Sequence, residues 1–432
     1  GIYDAGAYTL FPTPAEKVRL ADHAVGLQAS ALIRDGGTLQ IGICALSDAL
    51  SHALRLRHGR NRAWNEMRAA LDAEDEPLAD EIGGNDPFTD GLYGCSEMIT
   101  EGLLSLYDCG VLTREVFDDA DVQARALDDP DGAPDTGGIV LHGGFYLGPA
   151  SLYERLREMA PSLRDRIDMT AISKINHLYG DERLKRLQRR DARFVNSAMM
   201  VNGRGAAISD TLSDGRVVSG IGGQYNFAAM AQELDDGRSI ILVRATRTSK
   251  GETRSNIVWE AGEASVPRHL RDIVVSEYGA ADLRGKTDRE VAIALARIAD
   301  SRFQDDFLNA AKAAGKLEDD YALPARSRQN TPERLRAALA PAQGEGLLPD
   351  YPLGTDLTDE EQALKDALEW LREATATRMK RLRVLAAALT ASGDAGAFAP
   401  HLERMSLGEP GSIRERIDRR LVLHALRQVR TG

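Results

Sequence analysis

Apolar positions along the chain alternate between helix-type spacing and short continuous runs, which predicts alternating helices and strands. Residues 15–34 show helical spacing, 38–43 form a short apolar run, and 46–56 return to helical spacing. From 193 to 275 short apolar runs dominate, and such runs are typical of strands that helices cover on both faces. Further helical patterns occupy 97–108, 149–158, 226–234 and 287–314. The pattern therefore predicts an α/β fold with one open sheet wrapped by helices.

The second half of the sheet is predicted from a series of apolar runs separated by turn residues. These predicted strands are Phe194–Val201, Ala206–Ser209, Val217–Val218, Ile240–Val243, Ile257–Trp259 and Ile273–Val275. Earlier strands are predicted at 139–141 and 167–172, and the segment 70–90 has the composition of a surface loop.

Composition and helical spacing divide the chain into three parts. Residues 1–14 resemble the end of a connection, so we expect them to be a connector from a missing N-terminal domain. Residues 15–324 form the predicted α/β domain. Residues 325–432 are predicted to be an all-helical extension, with helices at 359–392 and 412–429. Thr358 and Glu361 have the spacing of a capping box at the start of the first of these helices.

Composition narrows the range of partners. The 432 residues carry a formal net charge of −12, with 43% hydrophobic and 28% charged residues. This acidic balance argues against a broad nucleic-acid surface. No apolar stretch is long enough for a membrane span, so we expect no membrane partner and a cytoplasmic location. Three cysteines and eight histidines show no metal-ligand spacing, so neither a disulfide framework nor a bound metal is expected.

A glycine-rich segment carries the strongest chemical signal. Its sequence, SGIGGQYNF, runs from Ser219 to Phe227, follows a predicted strand and opens a predicted helix. The glycines allow backbone N–H groups to approach a ligand, and the helix N-terminus adds partial positive charge. Such a loop can bind a phosphate or the oxyanion of an acyl intermediate, and an ordinary tight turn is an equal alternative.

A second segment, VSEYGAADLRGKT, ends just before another predicted helix. Lys286 lies at its end, where a cation can meet a phosphate, although on spacing alone an ordinary loop with solvent-facing charges is the preferred interpretation. His142 follows a predicted strand beside two glycines, and either a cleft position or a loop position without function is open for it. Cys44 precedes a predicted helix, where a thiol pKa can be lowered, and a small buried residue is the alternative.

Together these segments resemble the C-terminal domain of acetyl-CoA hydrolases/transferases, the family that includes succinyl-CoA:acetate and 4-hydroxybutyrate CoA-transferases. The similarity rests on SGIGGQYNFAAMA, SIILVRATRTSKG and VVSEYGAADLRGKTDRE, and upstream on DGGTLQIGICALSDAL, YGCSEMITEGLLSLYDCGVL and GGFYLGPASLYERL. It extends in order from about residue 15 to 320. The resemblance implies a CoA-transferase-type sheet and coenzyme A as a substrate.

The resemblance also implies roles for individual residues. Glu97 matches a glutamate of the family's helix motif and could orient groups near the site, or it could be a buried structural carboxylate. The positions that it assigns to CoA binding are Gly220, Gly222, Gly223, Gln224 and Lys286.

The expected nucleophile is missing. Transferases of this kind use a strand glutamate that attacks the thioester, and in the matching stretch NSAMMVN the glutamate position is Met200. Asn202 and Asn226 likewise stand where the family has acids. A thioether cannot form the covalent adduct, which puts ping-pong transfer in doubt. The alternative is a locally shifted alignment in which a nearby acid such as Asp210 enters the site.

Two functions of different classes remain open from the sequence. The first is an acyl-CoA hydrolase or CoA-transferase that acts on short-chain thioesters, with water or a small carboxylate as acceptor. The second is a non-catalytic acyl-CoA-binding or regulatory homologue that has lost its nucleophile. A site that needs a preceding domain for its acceptor is a further option. The helical extension is expected to cover an exposed face or to support a homo-oligomer.

Overall fold

A computed structural model describes residues 12–71, 76–129, 137–212, 214–249, 251–390 and 396–431. Most of the predicted connector, residues 1–11, lies outside them. The chain forms two compact units. The first contains the chain up to Arg247 together with Ser255–Gly354, and the second contains Thr248–Arg254 and Thr355–Gly432.

The first unit is built on an eight-stranded sheet. Its neighbouring strands follow the order β13-β12-β8-β5-β1-β2-β3-β4, and all pairs are parallel except β12 with β13. These strands are β1 Thr38–Ile41, β2 Tyr93–Ile99, β3 Leu141–Tyr146, β4 Ile167–Met169, β5 Ala192–Ser197, β8 Arg238–Leu242, β12 Ile273–Ser276 and β13 Gly279–Asp282. A smaller sheet contains β6 Met200–Asn202, β7 Ala207–Ile208 and β11 Ile257–Val258. This confirms the predicted α/β class and the open, helix-covered sheet.

The strand order reverses between β1 and β5. From β1 the chain adds β2, β3 and β4 on one side, and after β5 it adds β8, β12 and β13 on the other. In open parallel sheets ligands bind in the crevice outside the carboxyl ends of the strands at such a reversal. The segments that follow β1, β2 and β5 are therefore the place to look for a site.

Helices cover both faces of this sheet, and alternate strand residues face each layer. Val195 packs in a core with α1, α2, α3 and α14, whereas its neighbour Phe194 packs against α11. The helices of the first unit are α1 Leu20–Ser30, α2 Ala45–Gly59, α3 Asn61–Leu71, α4 Glu76–Ile82, α5 Glu101–Asp108, α6 Ala120–Asp128, α7 Ala150–Glu158, α8 Pro161–Arg164, α9 Ile172–Asn176, α10 Glu182–Gln188, α11 Gln224–Glu233, α12 Asp288–Arg297, α13 Gln304–Ala313 and α14 Pro332–Gly344.

Several predicted elements have different bounds in the structure. The run Phe194–Val201 is divided between β5 and β6, which belong to different sheets. Val217 and Val218 are 70% and 52% exposed and form no covered strand, because only an isolated bridge joins Val217 to Thr211. The predicted helix 287–314 is two helices, and the buried Asp300 between them binds Arg302. The spacing of apolar residues alone does not reveal where these strands and helices are interrupted.

The first compact unit continues past Pro324, the predicted end of the family-type domain. Helix α14 contributes Leu335, Leu339 and Ala342 to the main core. Thr331 caps this helix by accepting a hydrogen bond from the N–H of Arg334. The compact unit therefore ends at Gly354, while the family-type boundary at 324 stays a prediction.

The second unit is helical, as expected for the C-terminal region. Its helices are α15 Asp359–Ala374, α16 Arg378–Thr390, α17 Ala399–Arg404 and α18 Ile413–Thr431, and the strand pair β9 Thr246–Ser249 and β10 Glu252–Ser255 reaches into it. Thr358 and Glu361 form the predicted capping box at the start of α15. Leu364, Leu402 and Leu426 are among the residues of its separate apolar core. Within the described parts of the chain, no helix has the length and apolar character to cross a membrane.

A buried carboxyl group follows β12 in the first unit. Glu277 is 5% exposed and accepts a hydrogen bond from the N–H of Ala245. Burial raises its pKa to about 7, and the nearby charges of Asp22 and Asp300 act in the same direction. The folded chain therefore holds a proton on Glu277 that the unfolded chain releases above its ordinary pKa of 4.5.

We expect this carboxyl group to make folding stability fall as the pH rises. The folded state binds more protons than the unfolded state between pH 4.5 and 7, so the free energy of unfolding decreases over this interval by about 3 kcal/mol. Glu277→Gln keeps the acceptor oxygen and removes the titration, so this part of the slope disappears. Urea unfolding at a series of pH values measures it, and an unchanged slope in the variant contradicts the assignment.

Candidate functional site

The glycine-rich loop lies where the strand order reverses. Gly222 has φ +57, a left-handed conformation that glycine adopts without strain, and Gly223 is the N-cap of α11. The N–H of Phe227 donates to the Gly223 carbonyl over 3.0 Å, which begins the helix. Gly220 and Ile221 are exposed. The sequence prediction that this loop opens a helix is confirmed.

Gln224 attaches the loop to the main sheet. Its side chain is 5% exposed, and its Nε2 donates to the carbonyl oxygen of Ser197 over 3.1 Å. Ser197 is the last residue of β5. The amide thus fixes the start of α11 at the carboxyl end of a central strand, beside the reversal between β5 and β1.

The carboxylate of Glu97 lies directly against this loop. A Cβ atom at position 223 would lie 2.5 Å from Glu97 Oε2 and 2.7 Å from Asn176 Nδ2, so these atoms occupy the space that glycine leaves. Asn176 Nδ2 donates to Glu97 Oε2 over 3.3 Å. The structure therefore brings Glu97 together with Gly222 and Gly223, as the sequence suggested without being able to show it.

The element that carries Glu97 differs from the prediction. The spacing of 97–108 predicts a helix from Glu97, but Glu97 belongs to β2, and α5 begins only at Glu101. Parallel pairing with β3 extends to Ile99, which keeps this segment extended. Because it is near the carboxyl end of β2, Glu97 reaches the edge of the sheet at which the glycine loop lies.

Asn176 is a further residue of the site and had no sequence signal, whereas Asn226 was noted in the sequence only as standing where the family has an acid. Asn176, at the end of α9, is 7% exposed, and its Oδ1 has no hydrogen-bond partner among the described residues. Asn226 Nδ2 lies 3.4 Å from His177 Nδ1. An amide with an open acceptor beside the Glu97 carboxylate can bind a donor such as water, since buried polar atoms are normally paired.

Met200 lies in the smaller sheet. It is 7% exposed, and β6, which it begins, pairs with β7 opposite Ile208. The position expected for a nucleophile thus holds a buried thioether. Asn202 Oδ1 accepts from the N–H groups of Arg204 and Ala206, so this side chain stabilises a turn.

Asp210, the acid that a shifted alignment would use, is engaged elsewhere. Ser265 Oγ donates to its Oδ1 over 2.5 Å, and Thr211 Oγ1 donates to its Oδ2 over 3.1 Å. Both carboxylate oxygens therefore stabilise the turn around Ser265 and Thr211. Asp210 is consequently a weaker candidate for chemistry than Glu97.

Cys44 lies shortly after a strand of the main sheet, and His142 lies inside one. Cys44 precedes α2 at the carboxyl end of β1, and its Sγ is 3.4 Å from Ser197 Oγ, so the thiol borders the site. His142 is inside β3, with Nδ1 2.9 Å from Tyr93 Oη. His142 is buried, and burial lowers its pKa to about 4. The ring is therefore neutral at physiological pH.

The structure does not bring Lys286 to the glycine loop. β13 runs antiparallel to β12, with Asp282 opposite Ile273, the first residue of β12. Lys286 follows Asp282 and therefore lies toward the amino ends of the parallel strands, whereas the loop lies at their carboxyl ends. Lys286 instead lines a separate cleft beside β13.

The part of the chain that contains the glycine loop matches a known protein family. Residues 148–311 match the family model of the acetyl-CoA hydrolase/transferase C-terminal domain. The match includes the loop, Gln224 and Met200, and it confirms the resemblance stated from the sequence. Glu97 lies outside the matched residues.

Curated relatives of this domain carry CoA-transferase names. The chain is 25% identical to the 4-hydroxybutyrate coenzyme A transferase of Clostridium kluyveri over 304 residues, which are 70% of this chain and 57% of that protein. It is 28% identical to the succinyl-CoA:cyclohexane-1-carboxylate CoA transferase of Geobacter metallireducens over 52% of this chain and 50% of the relative. The chain thus spans little more than half the length of these relatives.

A solved structure shares the fold. RipA from Yersinia pestis superposes with a TM-score of 0.52 at 23% identity, covering 72% of this chain and 57% of that one. At this identity the likeness shows the fold alone.

Proposed function

We propose that the chain binds an acyl-CoA thioester at the loop Gly220–Gln224, beside Glu97, and that it hydrolyses the thioester or transfers its CoA to a carboxylate. One observation carries this proposal: the Glu97 carboxylate fills the space beside Gly223, at the N-terminus of α11. A reactive carboxylate and a set of backbone N–H donors are thereby adjacent at the sheet's carboxyl edge. The low-identity similarity to proteins named CoA-transferases supports the same chemistry.

The loop is suited to a thioester carbonyl. Negative charge develops on the carbonyl oxygen when a nucleophile attacks, and the N–H groups at the start of α11 can stabilise this charge together with the helix dipole. The hydrogen bond from Gln224 to Ser197 holds these donors in position before substrate binds. The exposed side chains of Ile221 and Tyr225 offer apolar surface for the pantetheine arm.

Glu97 is suited to act as a general base. In hydrolysis its carboxylate takes a proton from water while the water oxygen attacks the thioester carbon. The tetrahedral intermediate then breaks the C–S bond, and the CoA thiolate accepts the proton. The products are a carboxylic acid and CoA, and the reaction needs no metal. Asn176 holds Glu97 Oε2 and thereby orients the base.

Met200 favours hydrolysis over covalent transfer. A ping-pong transferase needs a carboxylate that forms an acyl anhydride and then a glutamyl-CoA thioester, and a thioether forms neither. The same observation supports the second candidate function, a non-catalytic acyl-CoA-binding homologue. The two are separated by whether the intact chain turns over the thioester that it binds.

The decisive experiment measures binding and turnover on the same preparation. Acetyl-CoA and butyryl-CoA are titrated calorimetrically. Free CoA is followed with a thiol reagent, and acetyl-CoA formed from butyryl-CoA and acetate is followed by chromatography. Release of free CoA supports the hydrolase, and formation of acetyl-CoA without free CoA supports the transferase. Binding with neither product above the uncatalysed rate supports the non-catalytic homologue, and absence of binding overturns the proposal.

Met200→Glu is expected to create CoA exchange between acyl-CoA and a carboxylate, because it supplies the carboxyl group that the covalent mechanism needs. Radiolabelled acetate incorporated into acetyl-CoA measures the exchange. Met199→Glu is the matched control, because it places the same carboxyl group one residue before β6. A folded Met200→Glu protein without exchange, as judged by its thermal unfolding, contradicts the proposed register.

A further inference from the structure

A second cleft lies beside the edge strand β13, apart from the glycine loop. It encloses about 340 Å³, within the range of small-molecule sites. β13 lines one side of the cleft, α12 another, and the segment from Arg326 into α14 a third. All of these elements belong to the first compact unit.

Four basic and three acidic residues line this cleft. Its basic residues are Lys286, Arg297, Arg326 and Arg334. Arg297 is exposed, and its guanidinium has no hydrogen-bond or ion-pair partner within the described ranges. A cluster of cations on a chain with net charge −12 marks a local preference for anions.

The acids that line the same cleft are occupied by other interactions. Glu277 accepts from the N–H of Ala245, and burial favours its neutral form. Asp282 accepts from Arg238, over 2.5 Å, and Glu290 is the capping-box partner of Thr287. Each of these acids has a hydrogen-bond partner outside the residues that line the cleft. The guanidinium of Arg297 therefore remains for a ligand, and Lys286, which lies near Glu290, adds a second cation beside it.

The remaining wall is apolar. Ile293 and Ala294 from α12 face the cleft, and Leu335 and Ala338 from α14 do so as well. A flat or aliphatic part of a ligand can pack there while the anionic end of the same ligand contacts the arginines. Arginine binds phosphate with paired N–H donors, which makes a phosphate the best-fitting anion.

We propose that this cleft binds an organic phosphate of nucleotide size, with the phosphate at Arg297 and Lys286 and the base against α12 and α14. The inference does not depend on the proposed hydrolase or transferase activity, because none of these residues contacts Glu97 or the glycine loop. Two sources share this chemistry: a free nucleotide and the phosphorylated adenosine end of a CoA molecule.

The test is calorimetric titration of the full chain with ADP at fixed salt. Saturable binding is expected, and Arg297→Ala and Lys286→Ala are each expected to weaken it about tenfold. Arg289→Ala is the matched control, because Arg289 is also on α12 but pairs with Glu318 outside the cleft. Its ADP affinity should equal that of the wild type.

Competition with CoA identifies the source. If CoA displaces ADP and its affinity falls in the same variants, the cleft takes the adenosine end of CoA. If CoA leaves ADP binding unchanged, the cleft takes a free nucleotide. No saturable ADP binding, or equal affinities in all four proteins, overturns the inference. Thioester turnover is measured separately, so failure of this cleft and failure of the glycine-loop site are distinguishable.

Discussion

Glu97→Gln is expected to reduce acyl-CoA turnover by about 10²–10⁴-fold while leaving CoA affinity nearly unchanged. The amide keeps the size of the side chain and can still accept a hydrogen bond from Asn176, but it cannot take a proton from water. Steady-state release of CoA measures turnover, and calorimetry measures affinity. The split between the two distinguishes a base from a residue that only supports the loop.

The control residue is Glu233, which lies on α11, the helix that follows the glycine loop. Glu233→Gln changes an exposed acid at the far end of α11 and should leave turnover at the wild-type value. If Glu97→Gln retains full turnover, Glu97 is not the base, and a structural role for its carboxylate remains. If affinity and turnover fall together with thermal stability, the side chain supports folding rather than chemistry.

Gly223→Ala is expected to lower thioester turnover by about 100-fold. The new methyl group would lie 2.5 Å from Glu97 Oε2 and 2.7 Å from Asn176 Nδ2, closer than real contacts allow. The loop or the carboxylate must shift, which separates the base from the oxyanion donors. Turnover and CoA affinity are measured together, and wild-type values for both would contradict the proposed contact between loop and base.

Alanine substitutions at two other glycines serve as comparisons for Gly223→Ala. Gly344→Ala, at the end of α14, has no atom within 4 Å of the added carbon and should behave as wild type. At Gly220 the added carbon also meets nothing within 4 Å in the free protein. Any loss of CoA affinity in Gly220→Ala therefore reports a contact with the ligand itself rather than a clash inside the protein.

The sequence predicted the helix-covered sheet well because short apolar runs and helical spacing are local properties. It also predicted that the glycine loop opens a helix, since the loop and α11 are contiguous. It assigned Glu97 to a helix because Met98 and Ile99 continue into the apolar spacing of α5. Pairing with β3 overrides that local pattern, and such pairing is invisible in spacing.

The composition of the site was harder to predict than the fold. Ser197 and Asn176 come from β5 and α9, and only long-range packing brings them to the loop. Lys286 was grouped with the loop by resemblance, but the reversed direction of β13 carries it away. Strand direction is a property of the assembled sheet, so the grouping of cations in the second cleft could be recognised only in three dimensions.

The burial of Met200 also bears on how this chain could have diverged. A carboxylate at a position that is 7% exposed costs folding free energy, because a charge loses its hydration there. An ancestor with an acid at this position would have gained stability by exchanging it for methionine, at the expense of covalent catalysis. The reverse exchange costs stability before any activity returns. Selection for stability alone would therefore retain the methionine, and a lineage that had lost the acid would seldom recover it.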